Sequence, residues 1–152
     1  MQALNLPGYN LRTRQQGEQL QIFDPVRKKF VALTPEEWVR QNLIQYLSIE
    51  KNIPLHMMAC ERGLAVNRMT KRFDLLVYST SGKPVMIVEC KAPSVALSED
   101  VYFQIARYNL ALKVNFLLVS NGIQHVFGVV DYNLGIIVPK EEIYDYQKLC
   151  NS

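Results

Sequence analysis

The sequence has 152 residues, of which 49% are hydrophobic and 20% are charged, and its formal net charge at pH 7 is +3. This size and composition predict one globular domain with one substantial core. Three cysteines without close spacing argue against a disulfide framework and a cysteine zinc site, and no apolar run approaches the length of a membrane span. We therefore expect a cytoplasmic protein with no membrane partner, whose mild positive charge permits a polyanionic partner without requiring one.

The first predicted elements are an arm and two short strands. Residues 1–18 are polar and are predicted as a loosely held N-terminal arm, with residues 19–152 forming the single domain. Two β-rich runs, Gln19–Phe23 and Phe30–Leu33, flank a turn that Asp24 starts.

Two small groups of cations lie in this part of the chain. Arg12 and Arg14 in the arm could contact a phosphate backbone, but solvated side chains are the simpler interpretation. The same holds for Arg27, Lys28 and Lys29, which lie at the tip of the predicted turn.

The clearest helix start in the sequence follows these strands. Thr34 is a suitable N-cap, Pro35 fits the first helical position, and Glu37 completes a capping box with Thr34. The apolar periodicity then predicts a helix that continues to about Glu50, and Pro54 lies beyond its end.

One acid of this helix is predicted to point in an unusual direction. Glu36 lies seven positions before Leu43, the centre of the apolar face, so it faces the sheet, whereas Glu37 is predicted to point away from it. A carboxylate directed at a core needs a partner. Two partners remain open: Arg40, four positions on, and a metal ion held by acids of the strands that follow.

The middle of the chain is predicted to be rich in strands. Leu55–Val66 forms a strand region with an interruption at Glu61–Gly63, and Asn67–Lys71 forms a basic turn. The runs Arg72–Tyr78 and Val85–Cys90 then flank a cluster of turn residues, which is typical of a β-hairpin.

This predicted hairpin brings charged side chains together. If Tyr78 pairs with Val85, Asp74 lies directly opposite Glu89, and opposed side chains share a face. Lys91 is two positions from Glu89 and so lies on the same face. Because two adjacent carboxylates repel each other unless a cation neutralises them, and carboxylate oxygens suit Mg²⁺ or Mn²⁺, the pattern predicts a divalent metal site.

The rest of the chain is predicted to contain a second helix and further strands. The helix runs from Ser98 to about Lys113, with Gln104 and Tyr108 on one face. Three strands and a short amphipathic helix are predicted at Phe116–Val119, Gln124–Val130, Ile136–Val138 and Lys140–Ser152. The resulting order β-β-α-β-β-β-α-β-β-β predicts an α/β fold.

Several short stretches together match one known pattern. They are Thr34–Gln41, Arg72–Asp74, Ile87–Pro93, and Gln104–Tyr108 followed by Ser120–Gly122. In these stretches the chain resembles the N-terminal nuclease domain of the R subunit of type I restriction enzymes, within the PD-(D/E)xK superfamily, and it looks closest to a small stand-alone bacterial form. The resemblance implies a central mixed β-sheet flanked by helices, with a restriction-endonuclease-like core.

The resemblance also implies roles for individual residues. The family's catalytic positions fall on Glu36, Asp74, Glu89 and Lys91. Its metal ligands fall on Asp74, Glu89 and the backbone carbonyl of Cys90, with Mg²⁺ or Mn²⁺ as the cofactor. The implied chemistry is metal-assisted hydrolysis of a phosphodiester, in which Lys91 orients or deprotonates the attacking water, or stabilises charge on the phosphate.

Three further points bear on this resemblance. Gln104 and Tyr108 match the family's Gln-x-x-x-Tyr element, which shapes the site and contacts DNA. Phe73 stands where the family's eponymous proline is found, a common substitution. The helicase that follows the nuclease domain in the restriction subunit has no counterpart within 152 residues.

Three functions follow as hypotheses. The first is a metal-dependent deoxyribonuclease with DNA as its partner, with a motor or specificity protein acting in trans and a homodimer formed through an exposed edge strand. The second is a nucleic-acid-binding accessory module that keeps the nuclease fold without cleaving on its own. The third is an α/β domain in which Lys91 and Glu89 form only a surface salt bridge.

Overall fold

The computed structural model describes the backbone of residues 1–66 and 69–152, and their side chains except for 61–72, 104 and 108–112. The described elements are, in chain order, β1 Thr13–Gln16, β2 Gln19–Asp24, β3 Lys29–Ala32, α1 Pro35–Glu50, β4 Met58–Val66, β5 Met69–Tyr78, β6 Pro84–Cys90, α2 Glu99–Leu112, β7 Phe116–Ser120, β8 His125–Asp131, β9 Ile136–Lys140 and α3 Tyr146–Cys150. A short 3₁₀ turn, Leu55–Met57, precedes β4.

The strands form two sheets. Strands β1, β2 and β3 make a small antiparallel sheet, and the other six make the central sheet in the order β4-β5-β6-β7-β8-β9. Strands β6 and β7 pair in parallel, since α2 carries the chain back across the sheet between them, and the other described pairs are antiparallel. The prediction of an α/β fold with a central mixed sheet is confirmed.

Helix α1 begins as its sequence predicts. Thr34 is extended, and its Oγ1 accepts a hydrogen bond from the backbone N–H of Glu37 at 3.0 Å, while Pro35 occupies the first turn. The helix then buries four apolar side chains against the central sheet: Val39, Leu43, Ile44 and Leu47. Each contributes roughly 1.5–3 kcal/mol through removal of its surface from water.

The two faces of the central sheet carry separate apolar clusters. On one face, Met86 and Val88 of β6 pack with α1 and with Leu149 of α3. On the other, Ile87 of β6 packs with α2 through Ile105. Because successive side chains of β6 alternate between the faces, this strand is buried on both sides and lies at the centre of the fold.

Two predictions for β4 and β5 need correction or completion. Strand β4 runs without the predicted interruption at Glu61–Gly63, because β5 pairs with it in one register on both sides of that stretch, with Cys60 opposite Leu75 and Arg62 opposite Phe73. The predicted basic turn at 67–71 overlaps β5, which begins at Met69, and residues 67 and 68 lie outside the described residues.

The N-terminal residues are held more firmly than predicted. Thr13–Gln16 forms β1, which pairs with β2 over four residues. Closer to the N-terminus, the backbone N–H of Asn5 donates to the carbonyl of Gly122 at 2.8 Å, and the indole of Trp38 donates to the carbonyl of Gln2 at 2.8 Å. The description as a loosely held arm is therefore wrong, and the boundary between residues 1–18 and 19–152 stays a prediction.

The helices are short relative to a bilayer. The longest, α1, has 16 residues. Within the part of the chain that the structure describes, no helix has both the length and the hydrophobicity to cross a membrane.

Candidate functional site

The hairpin β5–β6 has the predicted register near the candidate site and a different register near its turn. Tyr78 lies opposite Pro84, not Val85 as predicted, because the register shifts between Val77 and Tyr78. The turn closes one residue more tightly than expected, with the N–H of Ser79 donating to the carbonyl of Lys83 at 2.8 Å.

Beyond this shift, the strands return to the predicted pairing. Val77 lies opposite Met86, and Leu75 lies opposite Val88. One step further along each strand stand Asp74 and Glu89. The difference from the predicted register is therefore confined to the turn end of the hairpin, and the predicted pairing holds up to the residues next to the two acids.

Asp74 is held by two donors from different elements. Its Oδ1 accepts from the guanidinium of Arg40 on α1 at 3.3 Å, and its Oδ2 accepts from the backbone N–H of Cys90 on β6 at 2.7 Å. The side chain keeps 18% of its surface exposed. Both oxygens are therefore oriented by the protein, while the carboxylate still reaches solvent.

Glu89 is strongly perturbed by its surroundings. Burial, followed by the charge of Asp74, raises the pKa of Glu89 to about 9, and the cation of Lys91 opposes this shift. A carboxyl group with this pKa keeps its proton at neutral pH in the absence of a further cation. Two neighbouring acids that cannot both ionise are the arrangement that a bound cation would relieve.

Lys91 follows directly after β6. Its backbone N–H donates to the carbonyl of Ser120 at 2.8 Å and so extends the pairing of β6 with β7 by one residue. Its side-chain cation opposes the rise that burial and Asp74 cause in the pKa of both Glu89 and Glu36. The ion pairs of the described residues include none between Lys91 and Glu89, which removes the main support for the salt-bridge hypothesis.

Glu36 approaches the same cluster from α1. Burial, followed by the charge of Asp74, raises the pKa of Glu36, whereas Arg40 and Lys91 oppose the shift. Its carboxylate lies 3.7 Å from Arg40, and the side chain is 46% exposed. The ion pair with Arg40 is thus present, and the electrostatic coupling to Asp74 leaves the metal alternative open.

A second group of charges lies behind the candidate site. Arg27 of the β2–β3 turn binds both Asp24 and Glu37, and Glu37 also accepts from Arg40 at 3.2 Å. Because Arg40 in turn contacts Asp74, a continuous chain of alternating charges connects the small sheet to the candidate site. We call Asp24, Arg27, Glu37 and Arg40 the buried charge network.

The network corrects the prediction for Glu37. The sequence predicted a capping residue that points away from the core, but the side chain is buried and accepts from Arg27 and from Gln41. Arg27 draws it inward, because a buried guanidinium that already pairs with Asp24 can bind a second carboxylate.

The donor set at the candidate site fits a small divalent cation. Asp74 and Glu89 supply two carboxylates, and Mg²⁺ in proteins is commonly held by one or two carboxylates, with the remaining ligands from water and substrate. Among the described residues, no three side chains of His, Cys, Asp or Glu converge tightly enough to hold a metal without such additional ligands. The backbone carbonyl of Cys90, the third predicted ligand, belongs to the residue whose N–H orients Asp74.

The remaining predictions have mixed outcomes. Gln104 and Tyr108 lie in α2, but their side chains are outside the described residues. The contact between Arg40 and Asp74 was missed because it joins residues 34 positions apart. The only sequence signal for it was a cation on the helix face that also carries Glu36.

Comparisons with known proteins agree with this architecture. No curated protein sequence matches the chain. A solved fragment described as the HsdR subunit of a type I restriction enzyme from Vibrio vulnificus YJ016 matches with a TM-score of 0.54 and 19% identity, over 77% of this chain and 24% of that one. The chain thus spans about a quarter of that fragment, and the likeness shows the fold.

A family model settles the membership. The model described as type I restriction enzyme R protein N terminus matches residues 35–143, which is more than two thirds of the sequence. The matched region runs from the first turn of α1 to the segment after β9 and contains every residue of the candidate site. The chain therefore belongs to the family of type I restriction enzyme R protein N-terminal domains.

Proposed function

We propose that this chain is a metal-dependent nuclease domain that hydrolyses phosphodiester bonds in DNA, with a role in restriction or DNA processing. The observation that supports the proposal is the proximity of Asp74 to Glu89, whose pKa burial and this neighbour raise to about 9, beside Lys91, in a chain of this family. Neighbouring carboxylates with such a perturbed pKa destabilise a fold, and they occur mainly at sites that bind a cation or catalyse a reaction.

The carboxylates have distinct tasks in this proposal. Asp74, Glu89 and the carbonyl of Cys90 would hold Mg²⁺ or Mn²⁺, and Arg40 keeps Asp74 in place. When bound, the ion polarises the scissile phosphate and lowers the pKa of a bound water. Glu36 supplies a third acid from α1, where its partly exposed carboxylate can orient water at the edge of the site.

Lys91 supplies the positive charge that the chain itself brings to the reaction. Its charge opposes the rise in the pKa of both Glu36 and Glu89, so we expect it to act on a phosphate that is bound beside these acids. Its side chain acts in one of two forms: a neutral amine that takes a proton from the attacking water, or an ammonium that orients this water or stabilises charge on the phosphate. Gln104 and Tyr108 stay predicted contacts to DNA.

The test is cleavage of supercoiled, linear and single-stranded DNA in the presence of Mg²⁺ or Mn²⁺. We expect Lys91→Ala to abolish cleavage without a change in the circular dichroism spectrum. Lys83→Ala is the matched control, since Lys83 is exposed at the other end of β6. Undiminished cleavage by Lys91→Ala would overturn the assignment.

A second variant separates the two roles of Lys91. Lys91→Arg keeps the positive charge, but a guanidinium does not give up a proton in proteins. Retained activity in this variant therefore indicates charge stabilisation, and complete loss indicates proton transfer. A wild-type protein that binds DNA but cleaves no form of it would favour the accessory-module hypothesis.

A further inference from the structure

The positive charge of the chain is concentrated in its first 33 residues. This segment contains five Lys or Arg and two Asp or Glu, whereas the rest of the chain contains twelve of each. The whole net charge of +3 therefore belongs to the small sheet and the residues before it. The match to the family model begins only at residue 35, after this segment.

The small sheet has two chemically different faces. On the inner face, Ile22 and Asp24 are fully buried. The outer face is formed by opposed residues of the three strands: Arg14 beside Gln21, and Phe23 beside Phe30. The core and the buried charge network explain which side chains the inner face carries, but they do not explain those of the outer face.

The outer face combines guanidinium groups with aromatic rings. Arg12 lies 5.1 Å from the ring centres of both Phe23 and Phe30, and Arg14 lies 4.0 Å from that of Phe30. Both arginines are exposed, and among the ion pairs of the described residues neither is paired with a carboxylate. We call Arg12, Arg14, Phe23 and Phe30, with Gln21, the arginine face.

Stacking prepares these arginines to bind an anion. A ring beneath the guanidinium removes water from its flat side and limits its rotamers, while its N–H groups still point outward in the plane. The Nε of Arg14 donates to Gln21 at 2.8 Å, which limits its orientation further. A guanidinium held in this way can form two parallel hydrogen bonds to a phosphate.

Two more exposed cations lie at the tip of the same sheet. Lys28 ends the turn between β2 and β3 and Lys29 begins β3 opposite Asp24, whereas the neighbouring Arg27 is bound to Asp24 and Glu37. The structure thus divides the cations of this segment into one that supports the fold and four that face solvent.

The sheet is also next to the candidate site. A groove of about 470 Å³ is lined by Ala32 at the end of β3, by Glu36 and Arg40 of α1, and by Ala92, which follows Lys91. Ala32 lies opposite Gln21, in the row that carries the arginine face. A polymer that leaves the candidate site through this groove would pass onto that face.

We infer that the arginine face, together with Lys28 and Lys29, binds the phosphate backbone of duplex DNA next to the scissile bond. The inference rests on the proposed nuclease function for its ligand, but binding is measured separately from cleavage. The rings are covered by the guanidinium groups, which favours contacts to phosphate over stacking of unpaired bases. The expected binding is independent of sequence and sensitive to salt.

The experiment measures binding of a fluorescein-labelled, mixed-sequence duplex by anisotropy over a range of salt concentrations, in EDTA to prevent cleavage. We expect the double variant Arg12→Gln with Arg14→Gln to bind more weakly and to have a salt dependence about 1.8 units less steep, because two phosphate contacts are lost. Arg12→Lys with Arg14→Lys should keep the wild-type salt slope.

The matched control removes the same charge elsewhere. Lys83 and Lys113 are exposed at the end of the central sheet away from the candidate site, and Lys83→Gln with Lys113→Gln should bind as the wild type does. Should the arginine variants fail to fold, Lys28→Gln with Lys29→Gln tests the proposed contacts at the tip of the same sheet and leaves the stacked arginines intact.

Three results would overturn the inference. They are a wild type that does not bind duplex DNA, a preference for single-stranded DNA that the arginine variants leave unchanged, and an equal loss of binding in the control. A protein that binds through this face but never cleaves would leave the inference intact and refute the nuclease function.

Discussion

The protein contains two clusters of charge that share Arg40 and differ in balance. In the buried charge network, two acids and two arginines alternate, and although burial opposes ionisation, the hydrogen bonds and charge of Arg27 lower the pKa of Asp24. In the candidate site, three acids face one lysine and a share of Arg40, and the pKa of Glu89 is raised to about 9.

This comparison separates a structural use of charge from a functional one. A guanidinium beside a buried acid stabilises the ionised form of that acid, and removing either partner lowers the stability of the fold. An ionised acid that lacks such a partner destabilises the folded protein unless a cation binds beside it. The two clusters therefore predict opposite responses to the same kind of substitution.

The largest effect is expected in the buried charge network. Glu37→Ala should lower the free energy of unfolding by about 3–5 kcal/mol, because it leaves Arg27 and Arg40 buried without their shared acid. Urea unfolding measures the change. Glu50→Ala is the control, since Glu50 is exposed at the end of the same helix, and an equal loss there would contradict a special role for the network.

The candidate site should respond in the opposite direction. The pKa of Glu89 is about 9 in the folded protein and near its ordinary value in the unfolded chain, so the folded state binds this proton more tightly. The stabilisation that the bound proton gives to the folded state is complete below the ordinary pKa and is lost as the pH rises through 9. In metal-free protein, stability should therefore fall from about pH 5 to about pH 9.

A neutral side chain should remove this pH dependence. Glu89→Gln is expected to stabilise the metal-free protein by about 1–3 kcal/mol at the alkaline end and to flatten the profile. Denaturant titrations across the pH range provide the measurement. Glu142→Gln, an exposed acid outside the site, should leave the slope unchanged, and an unaltered slope in Glu89→Gln would show that another group titrates.

A bound divalent ion should neutralise the excess negative charge of the candidate site and so stabilise the folded protein. At ten times its dissociation constant, Mn²⁺ should stabilise the folded protein by about 1.4 kcal/mol. The increase in melting temperature should be larger above neutral pH, where Glu89 gives up its proton more easily. Asp74→Asn should abolish the increase, and an equal increase in that variant would place the ion elsewhere.

The smallest effect on stability is expected at Glu36. Its ion pair with Arg40 is long and the side chain is nearly half exposed, so Glu36→Gln should change the free energy of unfolding by less than about 1 kcal/mol. Thermal unfolding checks this, and DNA cleavage by the same variant should fall if Glu36 acts in the site. Unchanged cleavage would make Glu36 a surface residue only.

Local signals predicted much of the fold. The start of α1 depends on Thr34 and Pro35, which act within one turn, and the structure has it where the sequence predicts it. Strands β6 and β7 are apolar except for Glu89 and Ser120 near their ends, because both of their sides are buried. These features are decided by neighbours in sequence, so a pattern can reveal them.

The errors arose where distant residues decide the outcome. Arg27 draws Glu37 into the core across ten positions, which overrides its local capping preference. Strand β4 continues through a charged, glycine-containing stretch because β5 supplies its hydrogen bonds. At the candidate site, the sequence predicted neighbouring acids, but not that Arg40 and the N–H of Cys90 orient Asp74.

The path of the first residues has a practical consequence. Met1 and Gln2 line a small cleft together with Trp38 and with Pro93 and Ser94, two and three positions beyond Lys91. An affinity tag or fluorescent protein fused to Met1 would begin beside the segment that follows Lys91, and so next to the candidate site. A carboxyl-terminal fusion would begin beyond α3, whose Tyr146 donates to the carbonyl of Tyr78 at the far end of the hairpin, and would keep the candidate site clear.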